Sequence, residues 1–142
     1  MPASFFYKED KLAKSLIQTV NPNVQTVADD GAVSPGTVVR RFGCNCRLSG
    51  NAHELVGNGY YALDGMITAV AAAATPVTVT LYADGVAIPG MTASVTPGAA
   101  GDVVTLPLIN TVRVCGNCAT TVTCVITGAT SVTNYAMRIV KL

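Results

Sequence analysis

The sequence has no tryptophan, one histidine and little charge: nine Lys and Arg and eight Asp and Glu in 142 residues, for a net charge of +1. Each scarcity excludes something. A net charge this small sets up no field to recruit nucleic acid or an anionic membrane. Aromatics are only 6% of the chain, so the interleaved basic and aromatic stripe of a single-strand binder is missing too. One histidine and eight carboxylates leave few routes to acid–base chemistry, so the expectation is a protein that is not an enzyme and needs no cofactor. Long apolar runs are absent. The longest strongly apolar one, residues 69–74, is far below the roughly 18 residues that span a bilayer. Met1-Pro2 leads into Lys8-Glu9-Asp10-Lys11 rather than a secretory apolar stretch. With five cysteines, an odd number, this argues against a secreted disulfide framework and for synthesis in a reducing cytosol.

What the chain does have is apolar bulk. Half of its residues are hydrophobic, and Thr, Val, Ala and Gly dominate. That suits one β-rich domain with a packed core, and the length suits a single core. Residues 1–23 read differently from the rest. Phe5-Phe6-Tyr7 precedes a mixed-charge segment, then Leu12, Leu16 and Val20 recur at four-residue spacing with Ile17 beside them. This periodicity predicts an amphipathic arm or short helix that ends at Asn21-Pro22-Asn23, where proline stops it. The division expected is an arm over 1–23 and a β-sandwich over 24–142.

From residue 24 the pattern has period two. Tyr61, Leu63, Ile67 and Ala69 share one parity; Val77, Val79 and Leu81 alternate with Thr78, Thr80 and Tyr82; Val122, Cys124 and Ile126 alternate with threonines. Val104, Leu106 and Leu108 form another such set. Asp84-Gly85 is a tight-turn signal, and Pro107 inside a strand pattern predicts an edge or bulge. The alanine-rich stretch 66–74 reads as a strand end followed by a loop. Strands at this spacing predict an all-β, antiparallel sandwich.

The closing strand is the informative one. Tyr135, Met137 and Ile139 make one apolar face; Ala136, Val140 and Leu142 make the other, interrupted only by Arg138. A half-buried strand has one wet face. Apolar character on both implies that Ala136, Arg138, Val140 and Leu142 meet another subunit.

Residues 59–64 (GYYALD), residues 77–90 (VTVTLYADGVAIPG) and the closing segment 133–142 together carry a resemblance. As a set they resemble the C-terminal jelly-roll domain of collagen-like surface glycoproteins of spore-forming bacteria, and similar structural proteins of phages. The wider group is the tumour-necrosis-factor-like trimeric jelly roll. The resemblance covers about residues 24–142 and implies a homotrimer whose axis is lined by the inner sheet. Members with a collagen stalk carry Gly-X-Y triplets ahead of this domain, and this chain has none. The short arm stands in their place, which turns the expectation to a virion component. That component would be a capsid decoration or head-fibre protein made in the host bacterial cytoplasm and carried on the capsid exterior. Its arm residues Phe5, Phe6, Tyr7, Leu12, Leu16 and Ile17 would grip the major capsid protein lattice. The alternative is a receptor- or glycan-binding tip at a host or spore surface, using loops 71–76, 97–101 and 128–131.

Three further groups bear on chemistry. Cys44 and Cys46 alternate on one predicted strand, Cys115 and Cys118 have knuckle spacing, and Cys124 follows on the next strand. No second Cys-x-x-Cys completes a zinc site, so reduced thiols or a conditional disulfide are expected and no metal is assigned. His53-Glu54 is the one His–carboxylate neighbour pair, but adjacent strand residues face opposite ways. Charge is segregated: Lys8, Lys11, Lys14, Arg40, Arg41 and Arg47 precede a stretch, 48–112, that holds Glu54, Asp64, Asp84 and Asp102 but no Lys or Arg. An arginine-bearing end could dock on an acidic surface, or pair with carboxylates of a neighbour.

Overall fold

Alternation of branched or aromatic side chains with threonines builds twelve strands among the described residues. The computed structural model describes residues 15–28, 31–115 and 119–142. In chain order the strands are β1 (Leu16–Asn21), β2 (Gln25–Thr26), β3 (Gly31–Ala32), β4 (Thr37–Phe42), β5 (Cys46–Ser49) and β6 (Ala52–Val56). They continue as β7 (Gly59–Ala71), β8 (Val77–Ala83), β9 (Val86–Val95), β10 (Val103–Val114), β11 (Ala119–Thr127) and β12 (Ala129–Lys141). All pairings are antiparallel. They form two sheets: a front sheet ordered β10-β7-β12-β1-β4 with β2 on β12, and a back sheet ordered β5-β6-β11-β8-β9 with β3 on β11. This is the jelly-roll sandwich that the period-two pattern predicts.

The predicted inward parities hold. Tyr61, Leu63, Ile67, Ala69, Tyr135, Met137 and Ile139 from the front sheet meet Val77, Val79, Leu81, Val122, Cys124 and Ile126 from the back. Polar atoms inside are satisfied across the layers. The Tyr61 hydroxyl is 2.9 Å from both the Val56 and Gly57 carbonyl oxygens, tying the front sheet to the turn after β6. Asp84-Gly85 turns with φ of 52° and 83°, the left-handed pair that a two-residue hairpin needs. Pro107 lies on β10, an edge strand, where its missing N–H costs no ladder bond on the open side. The 66–74 stretch continues as strand to Ala71 and then turns, as expected.

The predicted helix is overturned at its C-terminal half. Leu16–Asn21 is strand β1, inserted between β12 and β4, with Leu16 opposite Val140 and Phe42. The segment also alternates: Ile17, Thr19 and Asn21 are buried while Leu16, Gln18 and Val20 are partly exposed. Three of its six residues are β-branched, and two flanking strands supply more hydrogen bonds and burial than a lone amphipathic turn could. The sandwich therefore begins before residue 24. Ile17, expected in the attachment arm, is a core residue with no exposure, and Leu16 belongs to the front sheet. Phe5, Phe6, Tyr7 and Leu12, with Lys8, Lys11 and Lys14, lie outside the described residues.

A chain begun at Ser15 should fold cooperatively with unchanged thermal stability, whereas one begun at Asn23 should be unfolded or insoluble. In a full-length chain, Ile17→Ala should cost about 2–5 kcal/mol, measured by urea denaturation.

Candidate assembly surface

The two sheets present very different outer faces. On the back sheet, hydroxyl side chains line up in pairs: Thr78 Oγ1 lies 3.1 Å from Ser94 Oγ, and Thr80 Oγ1 lies 3.3 Å from Thr92 Oγ1. Arg47 Nε sits 2.5 Å from Glu54 Oε1 on β5 and β6 of the same sheet. Such a face is wet without carrying much charge.

The front sheet's outer face is layered by strand register. One row reads Pro107, Met66, Ala136, Val20 and Thr37 from β10 across to β4. The next reads Ile109, Asp64, Arg138, Gln18 and Arg40, and below it lie Thr111, Ala62, Val140, Leu16 and Phe42. Tyr60 and Leu142 continue the face at the lower end, where the Leu142 amide donates to the Tyr60 carbonyl. Arg113 stacks over the Tyr60 ring with its guanidinium carbon 5.4 Å from the ring centre. Two predominantly apolar rows thus flank one charged row, in which Arg138 Nη2 is bonded to Asp64 Oδ2. Ile109 is 70% exposed, Leu142 69% and Phe42 53%, so the face leaves large apolar side chains in contact with water.

Ala136, Arg138, Val140 and Leu142, assigned from the closing strand, do lie on this one face. The same face gathers Tyr60, Ala62, Asp64 and Met66 of β7, which the sequence reading left unassigned. Their signal was present: they are the second parity of a strand already read for Tyr61, Leu63 and Ile67. Leu16 joins them through β1, and Phe42 through β4, every residue of which is exposed.

The lone histidine is used inside the fold. His53 Nε2 lies 2.8 Å from Thr19 Oγ1, joining β6 of the back sheet to β1 of the front. Burial lowers its pKa from 6.5 to about 4, so the ring is neutral at pH 7. Glu54 points the other way, to Arg47, so His53-Glu54 is no dyad.

The cysteines separate rather than gather. Cys44 lies in the loop after β4 and is exposed, while Cys46 begins β5 and is buried; they do not share a strand face as expected. The chain turns sharply after Gly43, which has a φ of 79°, and this ends the alternation. Cys115 is exposed, Cys124 is buried, and Cys118 lies outside the described residues. Burial pushes the Cys46 thiol up to about 11, opposed by Arg41 and Lys141, and the Cys124 thiol up to about 12, opposed by a hydrogen bond with Tyr135. Both stay protonated and inert near neutrality.

The two ends of the sandwich differ as well. Loops 71–76, 97–101 and 128–131 converge at one end: the Ala72 amide donates to the Gly128 carbonyl, and the Gly101 amide to the Ala71 carbonyl. They carry only Ala, Gly, Pro, Ser and Thr, with no aromatic platform. At the other end the Lys141 amide donates to the Ser15 carbonyl, and the Ser15 hydroxyl to Asn45 Oδ1, so residues 1–14 join the sandwich there.

No protein-family model matches this chain, and no curated protein matches it. Solved structures do. Murine APRIL at pH 5.0 superposes with a TM-score of 0.72 at 15% identity, over 91% of this chain and 99% of that one. The globular domain of zebrafish complement 1qA gives 0.64 at 7% identity, over 90% and 96%. Eiger TNF from S. frugiperda gives 0.59 at 8% identity, over 92% of each. At such identities the likeness is one of fold: the chain has an antiparallel jelly-roll sandwich similar to those of these three proteins.

Two measurements check the site. Folding stability should be full above pH 6.5 and fall as pH drops towards 4, because the unfolded chain binds the His53 proton first. That contribution is on the order of 3 kcal/mol, and His53→Gln should flatten this part of the pH profile. Ellman titration of the Cys118→Ser chain should find Cys44 and Cys115 at once, and Cys46 and Cys124 only after unfolding.

Proposed function

We propose that this chain is a structural protein of a phage virion, a homotrimer that decorates the capsid or builds a head fibre. The observation that carries the oligomer is the contrast between the two sheets. The back face is laddered with threonines suited to water, while the front face exposes Met66, Ile109, Phe42, Tyr60 and Leu142 around Ala136 and Val140. Burying the front face at about 25 cal/mol per Å² is the driving force available to bring copies together.

Three features favour a virion over other settings for such a trimer. The chain resembles phage and spore-surface jelly rolls in residues 59–64, 77–90 and 133–142. Its low charge and small apolar loops suit a durable coat better than a catalyst or a sugar-reading tip. The chain enters the sandwich at Ser15, at one end, so three copies of the preceding segment, with Phe5, Phe6, Tyr7 and Leu12, can engage repeated capsid sites together from a rigid trimer. One weak contact then becomes a firm one. The partner is the major capsid protein lattice, and the place is the capsid exterior.

Analytical ultracentrifugation should find a trimer, and Val140→Asp or Met66→Glu should convert it to folded monomers with unchanged far-ultraviolet circular dichroism. The chain begun at Ser15 should remain trimeric yet fail to bind purified capsids that the full chain decorates. Absence of the protein from purified particles of the encoding phage, by mass spectrometry, overturns the virion assignment and leaves the trimer standing.

A further inference from the structure

The charged row on the front face has no explanation in the lone chain. Asp64 and Arg138 lie on β7 and β12, the second and third of the five strands that make up the main path of the front sheet. Their side chains are about half exposed, at 47% and 53%. An exposed pair of this type contributes roughly 0–1 kcal/mol to folding. It is nevertheless set between rows that are mostly apolar, Met66, Ala136 and Val20 on one side and Ala62, Val140 and Leu16 on the other. Gln18 and Arg40 extend it to the sheet edge, and Arg40 has no carboxylate partner among the described residues. The row borders a depression of about 330 Å³ floored by Gly65 and Met137.

We propose that the Asp64–Arg138 row is the alignment key of the contact between copies, each pair completing its charge contacts with the same pair of a neighbouring copy. This rests on the homotrimer reading and names the residues that select the partner. The row is self-complementary: it offers one carboxylate and one guanidinium side by side, so a second copy brings what the first lacks. The contact seen within a chain uses one nitrogen of Arg138 and one oxygen of Asp64. A guanidinium has five donors and a carboxylate about four acceptor sites, so both have capacity for a neighbour.

The apolar rows supply attraction but no registration, because one greasy row packs on another in several alignments. The charged row removes those alternatives. Sliding one copy by a single row, two residues or about 7 Å, drives Asp64 and Arg138 onto apolar neighbours and leaves charge desolvated without compensation. The pair thereby specifies which alignment and which partner are allowed more than it tightens the contact.

The test is subunit exchange between the full chain and its charge-swapped form, D64R/R138D, which keeps the pair within each chain but inverts its sense. Differently tagged proteins are unfolded, mixed, refolded and counted by native mass spectrometry. Each should form trimers with itself, and mixed trimers should be depleted at least about tenfold below random association. Random mixing overturns the inference while the trimer stands; a monomeric wild-type chain overturns the trimer reading itself. If D64R/R138D does not fold, the charge-removing Asp64→Asn and Arg138→Gln decide. Each should raise the trimer dissociation constant about tenfold or more with the monomer fold intact, and unchanged dissociation overturns the inference.

Discussion

A strand inside a sheet has two faces to satisfy, and everything in this protein follows from how β12 satisfies its second. Its first face, Tyr135, Met137 and Ile139, is closed by the back sheet. Its second, Ala136, Arg138 and Val140, has only the front face of the same sheet around it. Flanked by β7 and β1, β12 cannot turn that face away, and each neighbour adds apolar residues in register. The front sheet is thus buried on one side by its own chain and left greasy on the other. The back sheet carries rows of threonine and serine on its outward positions, such as Thr78, Thr80, Thr92 and Ser94, and threonine keeps β propensity while staying wet.

Much of this was legible because β structure writes its faces into parity. Inward residues of β7, β8, β11 and β12 could be named from alternation, and the hairpin at Asp84-Gly85 from turn chemistry. The second face of β12 was readable for the same reason. What was missed was also parity, but in competition with another period. Leu12, Leu16 and Val20 fit a helical spacing, and Ile17 and Thr19 fit a strand; a single sequence does not say which neighbours will supply hydrogen bonds. The pairings with β12 and β4 settled that in favour of the strand. The cross-strand rows were not legible at all, since register between β7, β12 and β1 is a long-range property.

The candidate chemistry dissolved for concrete reasons. The one imidazole is spent on a threonine between the sheets, and two of the thiols are sealed in the core. In the proposed function it is faces and ends that matter, the front sheet for association and the two ends of the sandwich held far apart by 13-residue strands.

Because β1 and β12 are antiparallel neighbours, the two chain termini leave the sandwich side by side, joined by the Lys141 amide and the Ser15 carbonyl. This decides how the protein can be engineered. A cargo fused after Leu142 emerges beside Ser15, where the chain enters the sandwich. An insert placed among residues 97–101 emerges at the far tip, clear of both, so epitope display on this scaffold belongs in that loop rather than at either terminus.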